Sequence, residues 1–125
     1  YLADCRFSFN SYPMNRPALA AGAAALEDDV YFREICGKII KTRERVKSRL
    51  RELGFSFMDS RTNFVFAAHE KASAKEIFEM LKENGIYVRY FAKPRIDNYL
   101  RITIGTDEEM DRLLSVLGEY LAGRK

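Results

Sequence analysis

Arg89 and Arg101 are the residues in this chain whose type and spacing point to chemistry. Each sits in a run that alternates with period two. Ile86, Val88 and Tyr90 stand against Tyr87, Arg89 and Phe91; further on, Leu100, Ile102 and Ile104 stand against Tyr99, Arg101 and Thr103. Successive side chains of a strand face opposite ways, so each arginine falls on the side away from its aliphatic row. If the two strands share a sheet, both guanidinium groups project to one side. A guanidinium is a planar fork of donors that matches a carboxylate or a phosphate bidentately, and two such forks make an anion receptor. The competing reading is a pair of solvated strand arginines matched by nearby acids, as surface arginines commonly are.

Other chemistry finds little support. There is no glycine-rich phosphate loop, no GxSxG, no HExxH and no CxxC. Asp28-Asp29 and Glu108-Glu109 are accounted for as helix starts rather than as an acid/base couple. His69, the single histidine, ends a strand with no nucleophile or metal-ligand spacing around it; it is expected at the surface and is given no role. No metal site is expected. Cys5 and Cys36 are isolated, which fits a reducing cytoplasm, and a Cys5–Cys36 disulfide is the competing expectation.

Composition bounds the class. Apolar residues make up 47% and aromatics 13% of 125 residues, enough for a real core and too many for disorder. The charge is dense but balanced, 21 basic against 18 acidic residues, which argues against nucleic acid or an anionic membrane as partner. Apolar runs are only a few residues long, so no segment spans a bilayer. The first residues have neither the basic start nor the apolar run of a signal peptide, and they lack an initiator Met, so a piece of something longer is expected.

The elements that must position the arginines follow from periodicity and caps. Residues 1–12 read as an extended entry ending at Phe9-Asn10-Ser11-Tyr12-Pro13, with Tyr12 biased away from helix by the proline after it. An alanine-rich helix covers 18–26, starting near Pro17. Glu27-Asp28-Asp29 caps a long second helix whose Phe32, Ile35, Cys36, Ile39, Val46, Leu50 and Leu53 hold helical spacing up to a C-cap at Gly54. Its Lys38, Lys41, Arg43, Arg45, Lys47, Arg49 and Arg51 are expected mostly on a solvated outer face. Strands follow at 55–58 and 62–68. Ser73-Ala74-Lys75-Glu76 reads as a capping box opening a helix with Ile77, Phe78 and Leu81 inward, stopped at Asn84-Gly85. After the two arginine strands, Thr106-Asp107-Glu108-Glu109 is a second capping box. It opens a helix with Met110, Leu113, Leu114, Leu117 and Leu121 on one face. No repeat or linker breaks the chain, so 1–125 is expected to be a single domain. Its fold class is α+β: a two-layer sandwich in which helices pack a small, mostly antiparallel sheet, with a ferredoxin-like fold as the alternative for the later part.

Several stretches carry a resemblance. Tyr87-Val88-Arg89-Tyr90-Phe91, Lys93-Pro94 and Asp97-Asn98-Tyr99-Leu100-Arg101-Ile102-Thr103-Ile104-Gly105-Thr106-Asp107-Glu108-Glu109-Met110 resemble the C-terminal end of the histidinol-phosphate aminotransferases. So do Ser8-Phe9-Asn10-Ser11-Tyr12-Pro13, Ala23-Ala24-Ala25-Leu26-Glu27-Asp28 and Thr62-Asn63-Phe64-Val65-Phe66, in the family's order and over nearly the whole chain. The resemblance implies the small domain of a fold-type-I pyridoxal-phosphate aminotransferase. Such an enzyme moves an amino group between histidinol phosphate and 2-oxoglutarate in histidine biosynthesis, usually as a homodimer with a large cofactor domain in the same chain. It also implies that Arg101 grips the carboxylate of glutamate or 2-oxoglutarate, that Arg89 lies at the substrate phosphate, and that the entry segment with Asn10 and Tyr12 is a hinge at the active-site rim.

The chain also departs from that family. Its Schiff-base lysine lies in a Ser-x-Ser-Lys stretch with an arginine close behind, and neither pattern occurs here. The 125-residue piece is therefore expected to bind no pyridoxal phosphate and to be inactive alone. Two other readings stay open: a small domain of a threonine-phosphate decarboxylase or another enzyme of the fold type, and a free-standing anion- or RNA-binding module with Tyr87, Phe91 and Tyr99 as stacking platforms.

Overall fold

Asn15 sets the start of helix α1 (Arg16–Glu27): its Oδ1 accepts from the Ala18 N–H at 2.9 Å, and Pro17 sits in the first turn, where its missing N–H costs nothing. The computed structural model describes residues 1, 2 and 12–123, in two units, Tyr1–Ile35 and Cys36–Lys125. Asn10 and the rest of the Phe9-Asn10-Ser11 stretch lie outside the described residues, as does Cys5; Cys36 is a free, half-buried thiol. In the first unit Asp28 Oδ1 caps helix α2 (Asp29–Glu52) by accepting from the Tyr31 N–H, and Asp29 pairs with Arg33 one turn on at 2.6 Å. Every described side chain from Tyr12 to Glu34 is exposed, Phe32 among them. Helical spacing picked out Phe32 as a core position, but spacing identifies a stripe and not what covers it.

Helix α2 continues into the second unit, where Val46 and Leu50 are fully buried. Four strands follow: β1 (Phe55–Phe57), β2 (Phe64–His69), β3 (Arg89–Tyr90) and β4 (Leu100–Thr103), ordered β1-β2-β4-β3 and antiparallel at every pairing. Helix α3 (Ala74–Glu83) joins β2 to β3, and because β4 lies between those two, β2-α3-β3 is a split β-α-β unit, the element the ferredoxin-like alternative shares. Helix α4 (Asp107–Ala122) closes the described chain. One face of the sheet carries Phe55, Val65, Ala67, Leu100 and Ile102. They form one core with Val46 and Leu50 of α2, Ile77 and Leu81 of α3, and Met110, Leu113 and Leu117 of α4. The architecture is the expected α+β sandwich: helices on one side, sheet on the other. The Asn63 carbonyl extends the β2–β4 ladder by accepting from the Ile104 N–H at 2.8 Å.

The caps divide. At α4 the box forms in full: Thr106 Oγ1 accepts from the Glu109 N–H at 3.3 Å, and Glu109 Oε2 accepts from the Thr106 N–H at 2.9 Å. A Cβ on Gly105 would run into that Glu109 side chain, so the preceding position suits glycine. At α3, Ser73 stands at the cap position but its side chain makes no cap hydrogen bond, so the box expected at Ser73–Glu76 does not form. Instead Asn98 Oδ1, from the β3–β4 connection, accepts from the Ala74 N–H at 3.5 Å. A tertiary contact takes over what the local motif would have supplied.

His69 is a correction. It is buried at 8% exposure, because strand parity places it on the inner face with Val65 and Ala67. Its Nδ1 accepts from the Lys71 and Ala72 N–H groups at 3.1 and 3.0 Å, which leaves the proton on Nε2 to donate to the Leu53 carbonyl at 3.0 Å. The ring also meets Phe55 edge-on at 5.0 Å. A Cβ on Gly54, whose φ is +86°, would stand 3.1 Å from Nε2, so that turn needs glycine for both its conformation and its space. His69 thus ties the end of α2 to the start of α3. His69→Leu leaves buried N–H groups without an acceptor and is expected to cost about 1–3 kcal/mol. In urea titration the midpoint should fall while the slope holds; an unchanged midpoint would remove the role.

Lys38, Lys41, Arg49 and Arg51 of α2 are exposed as expected, but three other basic residues of that helix are not. Arg43 and Lys47 are buried, and Arg45 is half-buried. Lys47 Nζ donates to Glu44 Oε2 at 2.8 Å and to Asp59. Arg43 reaches Glu44 and the Thr62 carbonyl, each at 3.0 Å. Arg45 bridges Asp107 and Asp111, and Asp107 also accepts from Thr42 Oγ1 at 2.8 Å. Their stems pack while their heads find acceptors both on α2 itself, at Glu44, and on neighbouring segments, a distinction that helical periodicity alone does not make. Asp59 is held below the usual carboxylate range by Lys47; Glu44 is held down by Lys47 and then Arg43, and Asp107 by Arg45 and then Thr42. Depressed folded-state values mean that the unfolded chain binds more protons in acid. This stability is therefore complete above the ordinary carboxylate range of about 4 and is lost as pH falls through the folded values. Thermal melts of the chain and of Lys47→Met between pH 7 and pH 3 should show a shallower acid decline in the variant; parallel curves would place the acid sensitivity elsewhere.

Candidate functional site

The second face of the sheet has no helix of the core cluster on it, and it carries both predicted arginines. Register places Arg89 of β3 directly opposite Arg101 of β4, and Arg101 directly opposite Phe66 of β2, so the three form one row across the sheet. Directly opposed residues share a face with Cβ atoms about 4.5–5.5 Å apart. Leu100 and Ile102, on either side of Arg101, are each 1% exposed, whereas Arg101 and Arg89 are exposed. The alternation read from the sequence is thus the alternation of the sheet. Among the described residues neither guanidinium group makes an ion pair or hydrogen bond; the competing picture, strand arginines matched by neighbouring acids, does not describe them there.

Aromatic rings surround them. The Arg101 Cζ lies 5.6 Å from the Phe64 ring centroid and the Arg89 Cζ lies 5.5 Å from that of Phe91. Phe66 stacks on Tyr99 at 4.7 Å and 13° and meets Phe91 edge-on at 6.2 Å. Beside this cluster a cleft of about 690 Å³ opens between the β1–β2 and β3–β4 connections, with Phe64, Phe66 and Tyr99 on its floor and Arg61 and Arg95 at its rim. Arg95 adopts a left-handed φ of 74°, which is unusual for a non-glycine residue. Tyr87, 79% exposed, makes none of these ring contacts. Sequence reasoning missed Phe64 and Phe66 as parts of the site. The signal was present in β2, where Val65 and Ala67 belong to the core and so send Phe64 and Phe66 to the arginine face.

Tyr12, the described member of the proposed hinge, is exposed in the first unit. Among the described residues no group of three His, Cys, Asp or Glu side chains gathers to hold a metal ion, and no helix is long and apolar enough to cross a membrane. Chemically, two opposed guanidinium groups without a carboxylate partner among the described residues have donors to offer one or two anionic groups.

Known proteins share this sequence and fold. The family model described as aminotransferase class I and II matches residues 2–117. A histidinol-phosphate aminotransferase from Marinomonas sp. is 57% identical over 112 residues, which is 88% of this chain and 32% of that protein; one from Clostridium beijerinckii is 57% identical over 118 residues, 94% of this chain and 33% of that protein. The chain thus spans about a third of the length of the curated relatives it matches. Among solved structures, histidinol-phosphate aminotransferase from Sinorhizobium meliloti in complex with pyridoxal-5'-phosphate superimposes over 98% of this chain and 34% of its own, with a TM-score of 0.81 and 28% identity. A decarboxylase from Sulfurospirillum multivorans covers 95% of this chain and 35% of its own, with a TM-score of 0.76 and 25% identity. With most of its length matched by one family model and its sheet and helices matched by that family's architecture, the chain belongs to the class I and II aminotransferases.

Proposed function

We propose that this chain is the substrate-recognising small domain of a histidinol-phosphate aminotransferase. In this reading Arg101 takes the α-carboxylate of glutamate or 2-oxoglutarate, and Arg89 takes the phosphate of histidinol phosphate. The observation that carries it is the opposition of Arg89 and Arg101 across β3 and β4, with no anionic partner for either among the described residues. One substrate brings a phosphate and the other brings carboxylates, and one site must hold each in turn. Two neighbouring guanidinium groups can serve both. The names of the relatives at 57% identity support this choice of substrates. On the same reading residues 1–12, with Asn10 and Tyr12, are the hinge through which the domain closes and brings Arg101 onto the carboxylate. The working protein is a cytoplasmic homodimer.

Pyridoxal phosphate supplies the electron sink for such a transfer when bound. The buried one of the described lysines does not fit its attachment. This is Lys47, whose pKa is raised, first by the hydrogen bond to Asp59 and then by that to Glu44. An amine that attacks a carbonyl needs a lowered pKa. On this reading the cofactor belongs to a large domain of the same polypeptide, and the described residues contribute recognition and closure.

A second reading has one observation behind it, the likeness to the Sulfurospirillum decarboxylase. It keeps the anion-binding arginines and changes the reaction. A free-standing RNA-binding module has no comparable support.

The full-length polypeptide loaded with pyridoxal phosphate should transaminate histidinol phosphate with 2-oxoglutarate and leave threonine phosphate carboxylated. Arg101→Ala and Arg89→Ala should each lower kcat/KM about 30-fold or more, the equivalent of roughly 2 kcal/mol or above for an arginine removed from a charge pair. Decarboxylation alone would select the second reading, and losses under threefold in both variants would remove the arginine roles. The 125-residue chain, mixed with pyridoxal phosphate, should show no stoichiometric absorbance change; a change abolished by replacing one lysine would relocate the cofactor to this chain.

A further inference from the structure

We propose that Phe64 and Phe91 are positioning residues that hold the Arg101 and Arg89 guanidinium groups apart and leave their donors open for two separate anionic groups. The inference rests on the substrate reading above and deepens it. Two like charges directly opposite on one sheet face repel, and each arginine has a long, flexible stem. Carboxylate partners would fix those stems, but they would occupy the N–H donors that a substrate must use.

A ring face solves both problems. It attracts the cation through its quadrupole and accepts none of the N–H groups as a carboxylate would. The layout fits this division of labour. Phe64 lies on β2, on the side of β4 away from β3, so Arg101 leans over it and away from Arg89, with Cζ 5.6 Å from the centroid. Phe91 lies just past β3, and Arg89 folds over it at 5.5 Å. The Phe91 ring is in turn braced by the edge of Phe66, 6.2 Å away, and Phe66 by its stack on Tyr99. Arg101 and Arg89 therefore have one ring each, on different elements. The two rings are predicted to act on different substrates: Phe64 on the carboxylate partner and Phe91 on the phosphate partner.

The test is steady-state kinetics of the full-length, cofactor-loaded enzyme with Phe64→Leu, Phe91→Leu, Phe64→Tyr and Phe91→Tyr, alongside Arg101→Ala and Arg89→Ala. Phe64→Leu should raise KM for 2-oxoglutarate by roughly two- to fivefold, the equivalent of an exposed cation–π contact. Its KM for histidinol phosphate and its kcat should stay within about 1.5-fold of the parent, well inside that effect. Phe91→Leu should do the reverse, and each tyrosine variant should restore the parent value. A merely structural role would raise both KM values together and would not follow the ring. Such a joint rise, failure of tyrosine to restore, or unchanged KM in both leucine variants while the arginine variants lose activity would overturn the positioning roles and leave the substrate reading intact. Full activity in the arginine variants would overturn the reading beneath them.

Discussion

The placement of β4 between β2 and β3 is the constraint on which the rest of the second unit depends. Leu100 and Ile102 of this strand are two of the largest fully buried side chains, and they belong to the same core cluster as residues of α2, α3 and α4. Side chains alternate strictly along a strand, so a slip of one residue would turn Arg101 and Thr103 into that core and send Leu100 and Ile102 to water. Burying an unpaired guanidinium costs far more than the arrangement could recover elsewhere. The apolar core therefore fixes where Arg101 points, and through the β3–β4 register it fixes Arg89 as well. The site is accurate because it is attached to the least adjustable part of the fold.

That accuracy has a cost. Opposed like charges on a sheet are mildly destabilising, and an exposed row of arginines and rings contributes little to the core. Local rules for stability and the observed choice of residues disagree here, and such disagreements are expected at sites kept for binding. The same unit obeys those rules elsewhere. The full capping box at Thr106 and Glu109, the left-handed glycines at 54 and 85, and the saturated His69 all satisfy backbone or ring groups that would otherwise be left bare.

Much of this was legible in the sequence because it follows from periodicity. The order of helices and strands, the inward faces of α3 and α4 and the common side of Arg89 and Arg101 need only the repeats of 3.6 and 2. What was not legible depended on partners distant in the chain. Arg43 and Lys47 resemble solvent-facing residues until Asp59, twelve residues beyond Lys47, is brought to the lysine head. Ser73 looks like a capping serine, yet it is Asn98 that reaches the helix start. His69 was misplaced for a different reason: its inward parity with Val65 and Ala67 was readable, but a charged-capable ring at a strand end was weighed by its type rather than its position. Phe64 and Phe66 were readable by the same parity, but alternation alone does not say which of the two faces of β2 meets the core.

On the reading proposed above, the charge balance bears on why an anion would settle at Arg89 and Arg101 rather than at Arg43, Arg45, Lys47 or Arg49. With 21 basic and 18 acidic side chains, most cations can find an internal partner. Arg43, Arg45 and Lys47 each hold one or two carboxylates, and Arg49 holds Glu52. A substrate carboxylate arriving at one of these would have to displace a tethered one, which enjoys a high effective concentration. Arg89 and Arg101 present no such competitor among the described residues, and their rings hold them without consuming donors. What distinguishes the two arginines from the rest is not residue type or net charge, therefore, but which element each stands on. Arg51, at the end of α2, also lies over a phenylalanine, Phe57, at 4.9 Å; what sets Arg89 and Arg101 apart is that two ring-held guanidinium groups stand opposed on one face of the sheet.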